Sequence, residues 1–151
     1  MISEHISYKE GTNSITAIRR GIDNTPNDKQ LDNMELIAEK VFEPLREWVG
    51  GPIKINSFFR CPDLNKTIGG SNKSQHCHGQ AIDIDDTYKV VANSDMYDYI
   101  KNNLDFDQLI WEFGDDDNPN WLHVSYVSKG ANRKRCLRAY RSNGKTLYSV
   151  I

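Results

Sequence analysis

Apolar residues recur at three- and four-residue spacing between Leu31 and Trp48. Leu31, Met34, Ile37, Val41, Leu45 and Trp48 fall on one stripe of a helix. The polar run NTPNDKQLDN sets up its start. Pro44 is expected to kink it, and Gly50-Gly51 to end it. Ahead of this helix, up to about Asn24, turn residues alternate with a short helical pattern around Ile15, Ile18 and Ile22, with Gly21 as its stop.

After Gly51 the period changes from helical to alternating. IKINSFF (Ile53 to Phe59) reads as a strand, and RCPDLNKTIGGSNKS as a long loop of turn residues. QAIDID is a short alternating strand. Ser94 is placed to cap a helix over DMYDYIKNN. FDQLIWEF and WLHVSYV are two more strands, joined by the acidic loop GDDDNPN. The basic tail NRKRCLRAYRSNGKTLYSVI reads as a closing hairpin about Asn143-Gly144. Helices first and strands later predict an α+β fold. One domain is expected over residues 1–151, with N-terminal helices packed on a mostly antiparallel sheet.

Composition narrows the classes. The chain has 151 residues, 38% hydrophobic and 26% charged, ordinary for a globular domain with one core. A formal net charge of -2 argues against a general nucleic-acid binder, which would usually be basic. No apolar run approaches a membrane span, so no membrane insertion is expected. MISEHISYKEG lacks the apolar core of a signal peptide. The expectation is synthesis in the cytoplasm, any export using another route.

The three cysteines, Cys61, Cys77 and Cys136, form no CxxC pair, and reduced structural thiols are expected. Cys77 sits between His76 and His78 and is an alternative ligand. In extended backbone, however, neighbours point to opposite faces, so a metal facing His76 would not face Cys77.

The stretch SQHCHGQAIDID holds two of the four histidines. In AIDID, alternation puts Ala81, Asp83 and Asp85 on one face and Ile82 and Ile84 on the other. In WLHVSY, Trp121, His123 and Ser125 oppose Leu122, Val124 and Tyr126. If these strands are neighbours, Asp83 and His123 point to the same side. Two imidazoles and one carboxylate, His76, Asp83 and His123, with a fourth position left to water, is the ligand count of a catalytic zinc site. Gly79 allows a tight turn between His76 and the strand. The alternative is that His76 and His78 are loop residues and His123 a satisfied surface histidine.

SQHCHGQAIDID resembles the SxHxxGxAxD signature of the M15 family of zinc peptidases, the D-alanyl-D-alanine carboxypeptidase and endolysin group. The resemblance implies that His76 and Asp83 bind one zinc ion per chain. WLHVS matches the family's WxHxS context and supplies His123 as the third ligand. INSFFRCPDLN resembles the SGYRSPxLN segment, whose arginine lies in the active site and binds substrate or the tetrahedral intermediate. That arginine is Arg60 here. SEHISYKEGTNSITAIRRGIDNTP resembles the start of the phage-type branch, so the likeness runs along nearly the whole chain. It implies a hedgehog-like fold with the zinc site on the sheet face.

The chemistry also needs a carboxylate to move protons. Some members of the family place one three residues before the last histidine, but here that position is Asn120. The hedgehog-like arrangement puts a Glu at the end of the preceding strand, which is Glu112. Alternation sets Ile110, Glu112 and Gly114 opposite Leu109, Trp111 and Phe113, and a Glu within an apolar strand is costly to bury. Asp115, Asp116 and Asp117 compete for the role, or form a solvated acidic loop.

Ser74, Gln75 and Trp121 are candidate substrate contacts, each with a structural alternative in the turn or the core. His78 is expected outside the ligand set. Asp85 lies about 7 Å along the strand from Asp83, too far to share one tetrahedral ion. Arg133, Lys134, Arg135, Arg138 and Arg141 form either a solvated strand face or a contact for an anionic wall.

The resemblance implies a zinc peptidase that cuts peptidoglycan stem peptides as a carboxypeptidase or endopeptidase, and a monomer is expected. A phage lysin or a virion component acting on the cell wall is the expected setting. Asn120 also allows another reading, a zinc-binding virion or wall-binding module without turnover.

Overall fold

The computed structural model describes residues 1–151. Two short helices open the chain, α1 (Tyr8–Thr12) and α2 (Ile15–Arg20). The apolar pattern does not announce α1. Its start is polar, a reciprocal cap between Ser7 and Glu10. Gly21 closes α2 in the left-handed conformation, but Ile15 and Ile18 face solvent.

The long amphipathic segment is α3 (Asp28–Ile37), a π-helical turn (Ala38–Phe42) and α4 (Glu43–Val49). The expected disturbance at Pro44 is that π turn. Proline has no N–H for the Lys40 carbonyl and crowds it. The helix widens just before it, and the Glu43 N–H bonds back to the Ala38 carbonyl. Met34, Ile37, Val41 and Leu45 stay in the core across the turn. Trp48 leaves the expected stripe and stacks on Tyr99 near the surface, ring centroids 4.4 Å apart.

Six strands follow: β1 (Lys54–Ser57), β2 (Ala81–Asp85), β3 (Gln108–Glu112), β4 (Trp121–Ser125), β5 (Arg135–Ser142) and β6 (Lys145–Val150). They form one sheet in the order β1-β2-β4-β3-β5-β6. All neighbours run antiparallel except β3 and β5, so the sheet is mixed. The β5–β6 turn has Asn143 and Gly144 at positive φ, 51° and 75°, as a two-residue hairpin requires.

The segment read as a loop after Arg60 contains α5 (Pro62–Thr67). Its cap is unusual: the Cys61 thiol accepts from the Leu64 N–H, and Pro62 takes the first helical position. Ser94 does not cap α6, which spans Asn93–Asn103. Asp86 accepts from the Asn93 N–H at 2.9 Å and Asn118 from the Ser94 N–H at 2.8 Å. Side chains distant in sequence thus satisfy the helix end.

The sheet separates core from site. Ile82, Ile84, Leu109, Leu122 and Val124 pack in one apolar cluster with Met34, Ile37, Leu45, Met96 and Ile100 of the helices. The opposite face carries Asp83, His123 and Glu112. No helix is long and apolar enough to cross a membrane.

Candidate active site

Strands β2 and β4 are neighbours, with Asp83 directly opposite His123. On the other side of β4, Ile110 stands opposite His123 and Glu112 opposite Trp121. Facing residues of a ladder share a face. One side of the sheet therefore presents Asp83, His123, Trp121 and Glu112 together.

His76 reaches this face from a 3-10 turn, Gln75–His78. The Ser74 hydroxyl accepts from the His76 N–H at 3.3 Å. Gly79 ends the turn at φ 72°. A Cβ there would lie 2.4 Å from the Gln30 carbonyl oxygen, so α3 packs against the turn only because residue 79 is glycine. Gln75 anchors the turn from below. Its amide donates to Asp107 at 2.8 Å, and Arg133 donates to the same carboxylate through two side-chain nitrogens, at 2.9 and 2.8 Å. Those bonds, Arg133 foremost, hold Asp107 down to about 2. Ser74 and Gln75 are thus engaged in shaping the turn, and the basic tail contributes Arg133 to it.

One donor atom from each of His76, Asp83 and His123 lies within 4.8 Å of the others. His76 is 1% exposed, and its Nδ1 lies 2.7 Å from the Phe58 carbonyl oxygen. A carbonyl only accepts, so Nδ1 carries the hydrogen and Nε2 of the neutral ring offers a lone pair. That Nε2 is 3.2 Å from Asp83 Oδ1, and His123 Nδ1 is 3.1 Å from the same oxygen. Electron pairs converging on a carboxylate need a cation among them, a proton or a metal ion. The donor set therefore fits a metal. In the metal-free chain a proton takes that cation's place: burial pushes the Asp83 carboxyl up, but with His76 protonated its charge and the hydrogen bonds from His123 and His76 outweigh the burial. The group is held far below the usual carboxylate range.

Glu112 ends β3 only 8% exposed. Burial raises its carboxyl first; His123 and Arg60 pull it down, and Asp83 adds to the rise. The net result is a group pushed up to about 7, where it can both accept and donate a proton near neutrality. The rival acids are placed otherwise. Asp115 accepts from the Asp117 and Asn118 N–H groups, both at 2.9 Å, and builds the loop. Asp116 pairs with Arg138. All three of Asp115, Asp116 and Asp117 are exposed.

This placement has a consequence for stability. A carboxyl near 7 in the folded chain and near 4.5 when unfolded binds protons more tightly in the folded state. Its favourable contribution is complete below pH 4.5 and is lost as pH rises through 7. In metal-free protein, Glu112→Gln should match wild type in urea melts at pH 4. At pH 8 it should be more stable, by on the order of 3 kcal/mol. Equal melts at pH 8 would show that the buried carboxyl carries no such penalty.

Arg60 follows β1 and is held from both sides. Asn24 donates to the Thr12 and Phe59 carbonyls at 2.9 and 3.1 Å, and its carbonyl accepts from the Cys61 N–H at 2.7 Å. Burial lowers the guanidinium somewhat, while the charges of Asp83, Cys77 and Glu112 oppose this. Its Nε is buried and has no hydrogen-bond partner, a donor left open beside the acids. Arg60 and Ser57 also line a cleft of about 690 Å³ along β1, with Lys54, Arg46 and Tyr88.

Other candidates fall outside the cluster. His78 is exposed, and Asp85 is engaged by Asn93 at 2.9 Å. Burial pushes the Cys77 thiol up, away from the thiolate a metal would need. Trp121 stands on the site face, tilted against Phe113 with ring centroids 5.5 Å apart. Reading the sequence missed the Phe58 carbonyl that sets the His76 tautomer, and it missed Asn24. Main-chain acceptors leave no mark in sequence, and Asn24 acts across a distance no local pattern spans.

No curated protein matches the chain. The Peptidase M15 family model matches residues 4–125, from the start of the chain to the last residue of β4. That span holds His76, Asp83 and His123 as well as Glu112 and Arg60, and it covers most of the sequence: the chain belongs to the Peptidase M15 family.

Proposed function

We propose that the chain is a zinc-dependent hydrolase of peptide bonds in peptidoglycan stem peptides, with His76, Asp83 and His123 as the zinc ligands. The observation that carries this reading is the convergence of three metal-ligand atoms with a buried, proton-exchanging Glu112 on one sheet face. Two imidazoles and a carboxylate suit zinc and leave a coordination position open. Family membership and the SQHCHGQAIDID motif support a peptidoglycan substrate. A carboxypeptidase or endopeptidase acting on the wall as a phage lysin or virion component fits the phage-type resemblance.

Zinc bound there would lower the pKa of a water and polarise the scissile carbonyl. The Glu112 carboxylate takes the proton of the attacking water and then passes it to the departing amine. Arg60 turns its unpaired Nε–H toward the negative charge that develops on the peptide oxygen, or toward a substrate carboxylate. Trp121 walls the site beside Glu112. Arg60 is the one residue of this set that also lines the cleft along β1; His76, Asp83, Glu112, Trp121 and His123 do not.

The test is release of amines from purified cell walls, with and without a chelator. New amino groups should appear only in the metal-replete reaction. Their absence under both conditions would refute the reading and favour a wall-binding module.

Arg60 allows a sharper measurement. Arg60→Ala should keep its zinc and lose about 10²- to 10³-fold in kcat, the scale of one lost oxyanion donor. Arg60→Lys should recover only part of this, because the planar fork is gone. An unimpaired alanine variant would make Arg60 structural.

A further inference from the structure

The closing hairpin lies beyond the residues matched to the family, yet one of its faces continues the site. Glu112 stands opposite Ala139 in the β3–β5 ladder, and Ala139 opposite Tyr148 in the β5–β6 ladder. Ladder partners point to the same side. Tyr148 therefore shares the face of Glu112, His123 and Asp83, two strands from Glu112. Strands lie about 4.8 Å apart, so the Tyr148 backbone is roughly 10 Å from that of Glu112. The side chain between them is the methyl of Ala139, which is fully buried. A phenol can lie across a methyl group; a larger residue at 139 would hold it off.

Electrostatics agree with this placement. Burial first, then the negative charges of Glu112 and Asp83, raise the Tyr148 phenol above its ordinary value. Both carboxylates are thus close enough to act on it. The residue is 54% exposed, so part of it is open to a ligand. The chemistry of the position is also specific. A lysine or arginine here would neutralise Glu112 and lower its pKa, blunting a base that must work near neutrality. A neutral hydroxyl donates a hydrogen bond without that effect.

We propose that Tyr148 is a substrate-contacting residue of this site, its hydroxyl donating to the bound peptide on the Glu112 side. Arg60, beyond the opposite edge strand, holds the other side. The inference rests on the peptidase reading, and the experiment separates the two. Wild type and Tyr148→Phe, both zinc-loaded, are compared for kcat and KM on a soluble stem peptide. Binding of the same peptide is measured by calorimetry in Glu112→Gln and in Glu112→Gln/Tyr148→Phe, where turnover is suppressed.

Tyr148→Phe should lose about 2- to 10-fold in kcat/KM, the scale of one neutral hydrogen bond. Kd should rise or kcat fall by a matching factor. Melting temperature and zinc content should stay at wild-type values, because the substitution keeps the ring and removes only the hydroxyl. Unchanged kcat/KM together with unchanged Kd overturns the inference while leaving the peptidase reading intact. If wild type binds the peptide but does not cut it, the peptidase reading falls, and the calorimetry still decides Tyr148. Should the peptide neither bind nor react, both fall together.

Discussion

Glu112→Gln should fold, keep its metal and lose about 10²- to 10⁴-fold in activity, the range a positioned proton-transfer group supplies. The amide keeps the size and shape of the side chain, so little else changes. The water attacked by a base needs somewhere to send its proton, and the departing amine needs one back. Among the acids near the cluster, Glu112 combines burial, the right face of the sheet and a carboxyl near 7. Asp115, Asp116 and Asp117 changed singly to Asn should each cost far less, since they are exposed and Asp115 is occupied in its loop. Near-wild-type turnover in Glu112→Gln, with one loop variant silent, would move the base to the loop. The measurement is kcat on a stem peptide beside zinc content for each variant.

Removing a ligand should act on metal and turnover at once. His76→Ala deletes a donor already fixed in tautomer by the Phe58 carbonyl, 2.7 Å away. Losing even an indirect partner of a ligand typically costs about 10- to 100-fold in metal affinity, and losing the ligand itself should exceed that. Activity should fall to background with the metal. His76 is buried, and alanine leaves a cavity there, so His123→Ala serves as the companion variant on a better-exposed position. Tight stoichiometric zinc in both folded variants, measured by metal analysis after dialysis, would remove these residues from the ligand set.

How much of this was legible beforehand depends on distance along the chain. Alternation is local, and it placed Asp83 and His123 on outward faces of two short strands and set Glu112 opposite Leu109, Trp111 and Phe113 on a third. It did not say that the strands pair as β2-β4-β3, which is what puts the three side chains together. The parallel β3–β5 pairing, which brings Tyr148 toward Glu112, is likewise a long-range choice. Helix starts divide in the same way. Ser7–Glu10 is a local cap. The start of α6 depends on Asp86 and Asn118 from other segments, and Ser94 looked right only because the true acceptors were out of view. The helix after Cys61 went unread because a thiol is a rare cap. At Pro44 the expected distortion took the form of a wider turn, which kept Met34, Ile37, Val41 and Leu45 on the core.

The proposed ligand atoms come from a turn and two strands, at positions 76, 83 and 123, and they meet only in the folded chain. An ion held by them therefore acts as a removable cross-link. It closes a long loop of sequence while leaving the unfolded ensemble untouched. At a hundredfold excess over its Kd, such an ion adds about 2.7 kcal/mol to stability. A shortage of metal would thus do more than stop the reaction. It would shift molecules toward open states that proteases cut, so the supply of one ion would set both how fast the protein works and how long it lasts.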